Sequence, residues 1–270
     1  MHLSPQHFQD LYQGFCKTHN LWQNNTVFDM TQFNLPLSAS SVFHRKQEKR
    51  LRLGQLAEQF VFNQLETSKD VTLIAENIQI KKDKQTLGEL DAILQIDKQQ
   101  IHLEIIYKFY VYDETLGDTE LERWIGPNRK DSLIEKLTKL KDKQLPLLYS
   151  EACQSTLEHL NIHDSSVIQH VLFKAQLFVP YQIDVDFEIL NSDCICGYYL
   201  RRNQIKTFST NKFYIPTKLD WFLNPFNDVD WLNFNDFVEK ADSFLNQGQS
   251  PLFWMKHKEG RLQKCFLIWW

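Results

Sequence analysis

The stretch from Gly88 to Tyr112, GELDAILQIDKQQIHLEIIYKFYVY, constrains the fold more than any other part of the chain. Two runs of alternating side chains flank a short polar segment, Asp97-Lys98-Gln99-Gln100, which is the pattern of a β-hairpin. In the first strand Leu90, Ala92, Leu94 and Ile96 share one face, and Glu89, Asp91, Ile93 and Gln95 share the other. In the second, Ile101, Leu103, Ile105, Tyr107, Phe109 and Val111 lie opposite a face of His102, Glu104, Ile106, Lys108 and Tyr110. Each strand has one apolar face and one that mixes charge with apolar groups. A four-residue turn sets Ile96 opposite Ile101, Asp91 opposite Ile106 and Glu89 opposite Lys108. Asp91 is then diagonal to both Glu104 and Lys108, at about 7–8 Å between Cβ atoms.

Two carboxylates at that range can share Mg²⁺ or Mn²⁺ through hard oxygen ligands, so Asp91 and Glu104 are candidate metal ligands. A lysine beside them can orient an attacking water or hold a scissile phosphate, which is the role open to Lys108. The alternative is a cross-strand pair of Glu89 and Lys108, with Asp91 and Glu104 solvated. Asp on one strand, then Glu and Lys on the next, resembles the PD-(D/E)XK nuclease superfamily. Lys108 follows Glu104 by four residues where that superfamily has two, and Ile106 takes the usual slot. Four residues keep the face but move the lysine about 13 Å along the strand.

Elsewhere the chain alternates helical and strand-like patterns. Residues 5–18 repeat Phe8, Leu11, Tyr12 and Phe15 at helical spacing. The run 44–52, HRKQEKRLR, holds Arg45, Lys46, Lys49 and Arg50, and reads either as a solvated helix face or as a phosphate-contacting patch. It leads into a helix with Leu53, Leu56, Phe60 and Leu65 on one stripe. There Gly54 and Glu58 form a GxxxE pattern, the glycine admitting sheet backbone and the glutamate lying one turn along the same face. Residues 71–80 read as a strand, and 131–145 as a helix capped by Asp131 or Asn128, with Gln144 near its end. Asn128, Arg129 and Lys130 at its start suit either a phosphate or plain solvation. Residues 170–181 and 194–208 read as strands, 230–247 as a helix capped by Asn235 or Asp236, and 251–270 as a hairpin about Lys258-Glu-Gly-Arg. Asp184, Asp186 and Glu188 read as a solvent-facing acidic face, and Cys194-Ile-Cys196 lacks the second ligand pair that zinc needs.

GELDAIL, HLEIIYKFY, WIGPNRKDSLIEKL and KQLPL, in this order and spacing, resemble a bacterial family known as domain-of-unknown-function family 1853, a remote relative of the PD-(D/E)XK group. The resemblance implies an α/β fold: a nuclease-like mixed central sheet flanked by helices, with a β-rich C-terminal extension. The domains it suggests are an N-terminal helix and loop (1–43), a nuclease-like core (44–150) and a β-rich part packed on that core (151–270). It implies a metal-dependent nuclease in which Asp91, Glu104, Lys108, Glu58 and Gln144 carry the chemistry, Mg²⁺ or Mn²⁺ is the cofactor, and nucleic acid, DNA ahead of RNA, is the partner. The competing reading is a catalytically inactive relative that binds nucleic acid or a partner protein. The formal net charge of −4 excludes a global basic field, so nucleic acid would need a local patch. No apolar run reaches the roughly 20 residues of a membrane helix. MHLSPQHFQD lacks the apolar centre of a signal peptide, and five scattered cysteines suit a reducing cytoplasm.

Overall fold

A computed structural model describes residues 4–23, 26–36, 40–47, 50–162 and 166–270. Its helices are α1 (Pro5–Cys16), α2 (Leu53–Thr67), α3 (Leu133–Lys139), α4 (Glu151–His159) and α5 (Phe234–Leu245). Its first strands are β1 (Thr31–Gln32), β2 (Thr72–Lys82), β3 (Gln85–Ile96), β4 (Gln99–Tyr112) and β5 (Trp124–Ile125). Then come β6 (Ile168–Pro180), β7 (Ile195–Arg201), β8 (Lys212–Tyr214), β9 (Leu252–Lys256) and β10 (Leu262–Ile268). This is a mixed α/β fold with a large mixed sheet. Among the described residues no helix is long and apolar enough to cross a membrane.

The chain divides into two compact units, each assembled from three stretches. The first is Met1–Tyr12, Asn20–Tyr107 and Glu135–Lys174; the second is Gln13–His19, Lys108–Ile134 and Ala175–Trp270. In the first, β2, β3 and β4 form an antiparallel meander, and β1 runs parallel to β6 at Thr31↔His170 and Gln32↔Val171. The stripe predicted on α2 is buried: Leu53, Leu56, Phe60 and Leu65 turn inward at three- and four-residue spacing. A second layer joins Ile80, Leu90 and Ile93 of the meander to Cys153 and Leu157 of α4, a helix whose pattern is too short to stand out in the sequence. In the second unit β6, β7 and β10 run parallel, and β10, β9 and β8 pair antiparallel in turn. Phe237 and Ala241 of α5 pack there with Phe213, Phe253, Met255 and Leu267.

The structure corrects several local expectations. The β3–β4 turn has two residues, not four. Ile96 pairs with Gln99, Gln95 with Gln100 and Leu94 with Ile101, while Asp97 takes the left-handed conformation (φ 51°) that a short turn needs and that aspartate tolerates. The two glutamines belong to the ladder. Continued, this register puts Asp91 across from Glu104 and removes the opposition of Glu89 and Lys108. Gly54 admits no sheet backbone, because nothing lies within 4 Å of a Cβ built there. The described part of the basic run is not helical. The 131–145 helix is α-helical only to Lys139, then forms a π turn over Leu140–Gln144 and a 3₁₀ turn over Leu145–Tyr149. The strand expected over 194–208 stops at Arg201. The cap of α5 is Asn233, whose side chain accepts the Asp236 N–H. Asp184, Asp186 and Glu188 are exposed, as expected of a solvent-facing acidic face, in irregular chain beside Glu114, Asp118 and Glu120.

Candidate functional site

The first unit brings three carboxylates into one electrostatic cluster, each from a different element. Asp91 comes from β3, Glu104 from β4 and Glu58 from α2. The ladder between β3 and β4 reaches Ala92↔Leu103. Just beyond it the Ile105 N–H donates to the Asp91 side chain at 2.7 Å. A side chain thus takes a main-chain donor and holds Asp91 in place at 9 % exposure. Glu104 is fully buried, and both of its oxygens accept hydrogen bonds: Oε2 from Gln144 Nε2 at 2.7 Å, Oε1 from His102 Nε2 at 3.1 Å.

Gln144 reaches Glu104 from the π turn, a helical irregularity that often accompanies functional sites. Its other amide atom, Oε1, accepts from the Lys136 ammonium at 2.7 Å. Lys136 stands one turn before Leu140 and two before Gln144, so all three share a helix face. The sequence points to Lys108 on the strand, but the lysine at this cluster is Lys136. The signal was present: a cation eight residues before the glutamine, with a buried leucine between. His102 was visible two residues before Glu104 on the same strand face, but nothing in the sequence tied it to Gln169, whose Nε2 lies 2.9 Å from His102 Nδ1.

Charge is crowded here. Burial is the main cause that lifts Glu58 to about 8, with Asp91, Glu89 and Glu104 adding repulsion and Lys136 opposing it. Asp91 is raised by burial first and by Glu104 next, against the pull of the Ile105 N–H and Lys136. Glu104 is raised by burial, against Lys136 and the Asp91 main-chain donor. His102 is pushed down to about 4 by burial, so its ring is neutral. The cluster is short of positive charge, and oxygen ligands in that state suit a hard divalent cation. Among the described residues, no group of three or more His, Cys, Asp and Glu is arranged to hold a metal ion.

The remaining candidates lie apart from this cluster in role. Lys108 belongs to the second unit, where its ammonium meets Asp131 at 2.6 Å and is 35 % exposed. Asp131 is therefore engaged by a lysine. Asn128 accepts the Ser250 N–H at 2.8 Å, and Arg129 pairs with Asp113 and lies over the Trp270 ring at 3.9 Å. Lys130 is exposed. In the first unit Arg45 is held by Glu66 at 2.7 Å, Glu76 at 2.6 Å and Gln59 at 3.0 Å, which makes it part of the scaffold. Lys46 and Arg50 are exposed, and Lys49 lies outside the described residues. None of the five cysteines is in a disulfide.

A family model described as a domain of unknown function (DUF1853) matches residues 21–264. No curated protein and no solved structure matches the chain.

Proposed function

The chain belongs to the DUF1853 family, and from its carboxylate cluster we propose that it is a metal-dependent nuclease that hydrolyses phosphodiester bonds in nucleic acid. The observation that carries this is the convergence of buried Asp91 and Glu104 with half-buried Glu58, short of positive charge, with Lys136 and Gln144 beside them. Buried carboxylates are costly to keep together, and proteins that keep them do so at sites where charge is used. The order of parts also supports a PD-(D/E)XK-like fold: α2 bearing Glu58, the meander bearing Asp91 and Glu104, then the helix bearing Gln144.

Asp91 and Glu104 would hold Mg²⁺ or Mn²⁺, which when bound lowers the pKa of water and offsets charge on the phosphate. Glu58, with its carboxyl raised to about 8, keeps its proton near neutral pH and would orient the attacking water by hydrogen bonding. Lys136 supplies the positive charge that the strand lysine supplies in the superfamily pattern, and Gln144 passes its orientation on to Glu104. Exposed Lys46, Arg50 and Lys130 are the cations left for phosphate contact, since Arg45 and Arg129 are engaged by carboxylates. A cytoplasmic location belongs to the same reading, supported by five cysteines none of which is in a disulfide.

The test is Mn²⁺-dependent cleavage of single- and double-stranded DNA and of RNA, with melting curves in parallel. Mn²⁺ should raise the melting temperature of the wild type and not of Asp91→Ala, because ligand binding to the native state stabilises it by mass action. Lys136→Ala should abolish cleavage while Lys108→Ala, which breaks a half-exposed pair worth about 0–1 kcal/mol, should not. Equal Mn²⁺ shifts in wild type and Asp91→Ala would remove the metal site. No cleavage of any substrate, with Mn²⁺ bound, would leave the binding-only relative.

A further inference from the structure

The Glu104 carboxylate is the meeting point of two hydrogen-bonded relays, and their polarity can be deduced from groups with only one choice. On one side the Lys136 ammonium can only donate. The Gln144 atom that it meets at 2.7 Å is therefore oxygen, which turns the amide nitrogen toward Glu104 Oε2, also at 2.7 Å. On the other side the Leu145 carbonyl can only accept. The Gln169 atom 2.7 Å from it is therefore the amide nitrogen. That same nitrogen stands 2.9 Å from His102 Nδ1, and its second hydrogen points there. Nδ1 is then bare, and the single hydrogen of a neutral imidazole resides on Nε2. Nε2 lies 3.1 Å from Glu104 Oε1. Because Leu145 follows Gln144 in the chain, the two relays close into a ring: Glu104, His102, Gln169, the Leu145 carbonyl and Gln144.

We propose that His102 and Gln169 are positioning residues that fix the orientation of the Glu104 carboxylate before any cation arrives. The proposal rests on the reading above in so far as the purpose of that carboxylate is to hold a divalent cation. The torsion that turns a glutamate carboxylate is broad when left alone. Here each oxygen has its own N–H donor, so the plane of the carboxylate is set. The Asp91 main-chain N–H is a third donor to this carboxylate, so one of its lone pairs is left to offer a cation. His102 is fully buried, and both ring nitrogens are used within the ring, so it touches neither solvent nor a reacting group. Gln169 reads the tautomer of His102 from the main chain of the turn that carries Gln144, so the two sides of Glu104 are set by one piece of backbone.

Two measurements test this. Long-range ¹H–¹⁵N spectra of the wild type read which ring nitrogen of His102 carries hydrogen; Nε2 is expected. Calorimetric titration with Mn²⁺ alone should show affinity about 10–100-fold weaker in His102→Ala and Gln169→Ala, the usual loss when a partner of a metal ligand is removed. His102→Gln, whose Nε2 falls near the place of the imidazole Nε2, should recover most of it. Should His102→Ala fail to fold, Gln169→Ala, which keeps the ring, decides the affinity arm. Hydrogen on Nδ1, or wild-type Mn²⁺ affinity in folded Gln169→Ala, overturns the proposal. A wild type that takes up no Mn²⁺ while its hydrogen sits on Nε2 overturns the nuclease reading and supports the ring.

Discussion

Glu58 binds a proton more tightly in the native protein than in the unfolded chain, and that has a sign. Its pKa is raised from 4.5 to about 8, chiefly by burial. Between those values the native state holds a proton that the unfolded state has lost, so stability falls as pH rises through this window. Below about pH 4 the group contributes no such loss. Glu58→Gln should therefore flatten the decline in metal-free buffer and stabilise the protein more at pH 8 than at pH 5, by on the order of 1–2 kcal/mol at the upper end. An unchanged pH profile in thermal melts would mean that Glu58 is better solvated than its surroundings imply. The carboxylates were legible in the sequence because strand alternation assigns Asp91 and Glu104 to faces before any fold is known. Lys136 and His102 were not, because each acquires its role through a tertiary contact, Lys136 through Gln144 and His102 through Gln169, and spacing alone does not reveal a partner.

At the scale of elements, two glycines in regular structure face opposite surroundings. Gly54 is exposed near the start of α2, with nothing within 4 Å of a Cβ, so Gly54→Ala should stabilise by about 0.5–1 kcal/mol through the entropy of the unfolded chain. Gly197 in β7 stands against β10, where a Cβ would come within 1.9 Å of the Lys264 carbonyl oxygen. That atom is backbone in a paired strand and cannot step aside, so Gly197→Ala should destabilise by about 1–3 kcal/mol or more. Urea unfolding of both variants measures the pair of signs, and a stabilised Gly197→Ala would contradict the parallel pairing of β7 with β10. Existence and type of the long elements were readable: α1, α2, the meander and the β9–β10 hairpin all follow their periodicities. The β3–β4 register was not, because Gln99 and Gln100 are as polar as a turn and the left-handed backbone at Asp97 leaves no mark in composition. The π turn was also hidden, since one extra residue in a helix does not disturb a leucine stripe.

At the scale of the molecule, neither compact unit is a continuous piece of chain. The layer of Ile80, Leu90 and Ile93 is completed by Cys153, Leu157, Ile162 and Val167, all beyond residue 150. A fragment of residues 1–150 should therefore lack dispersed amide resonances in a ¹H–¹⁵N spectrum; a well-dispersed one would show that α4, Ile162 and Val167 are dispensable to that layer. This division was invisible in the sequence, where no Pro- or Gly-rich linker or change of composition marks positions 12, 107, 134 or 174. The interleaving also bears on the order in which the chain leaves the ribosome. The first unit has all its parts once residue 174 has emerged. Residues 13–19 and 108–134 are made early yet belong to a unit whose largest stretch begins at Ala175. During synthesis they must wait exposed for partners not yet translated, and it is there that a chaperone holding the nascent chain would have the most to cover.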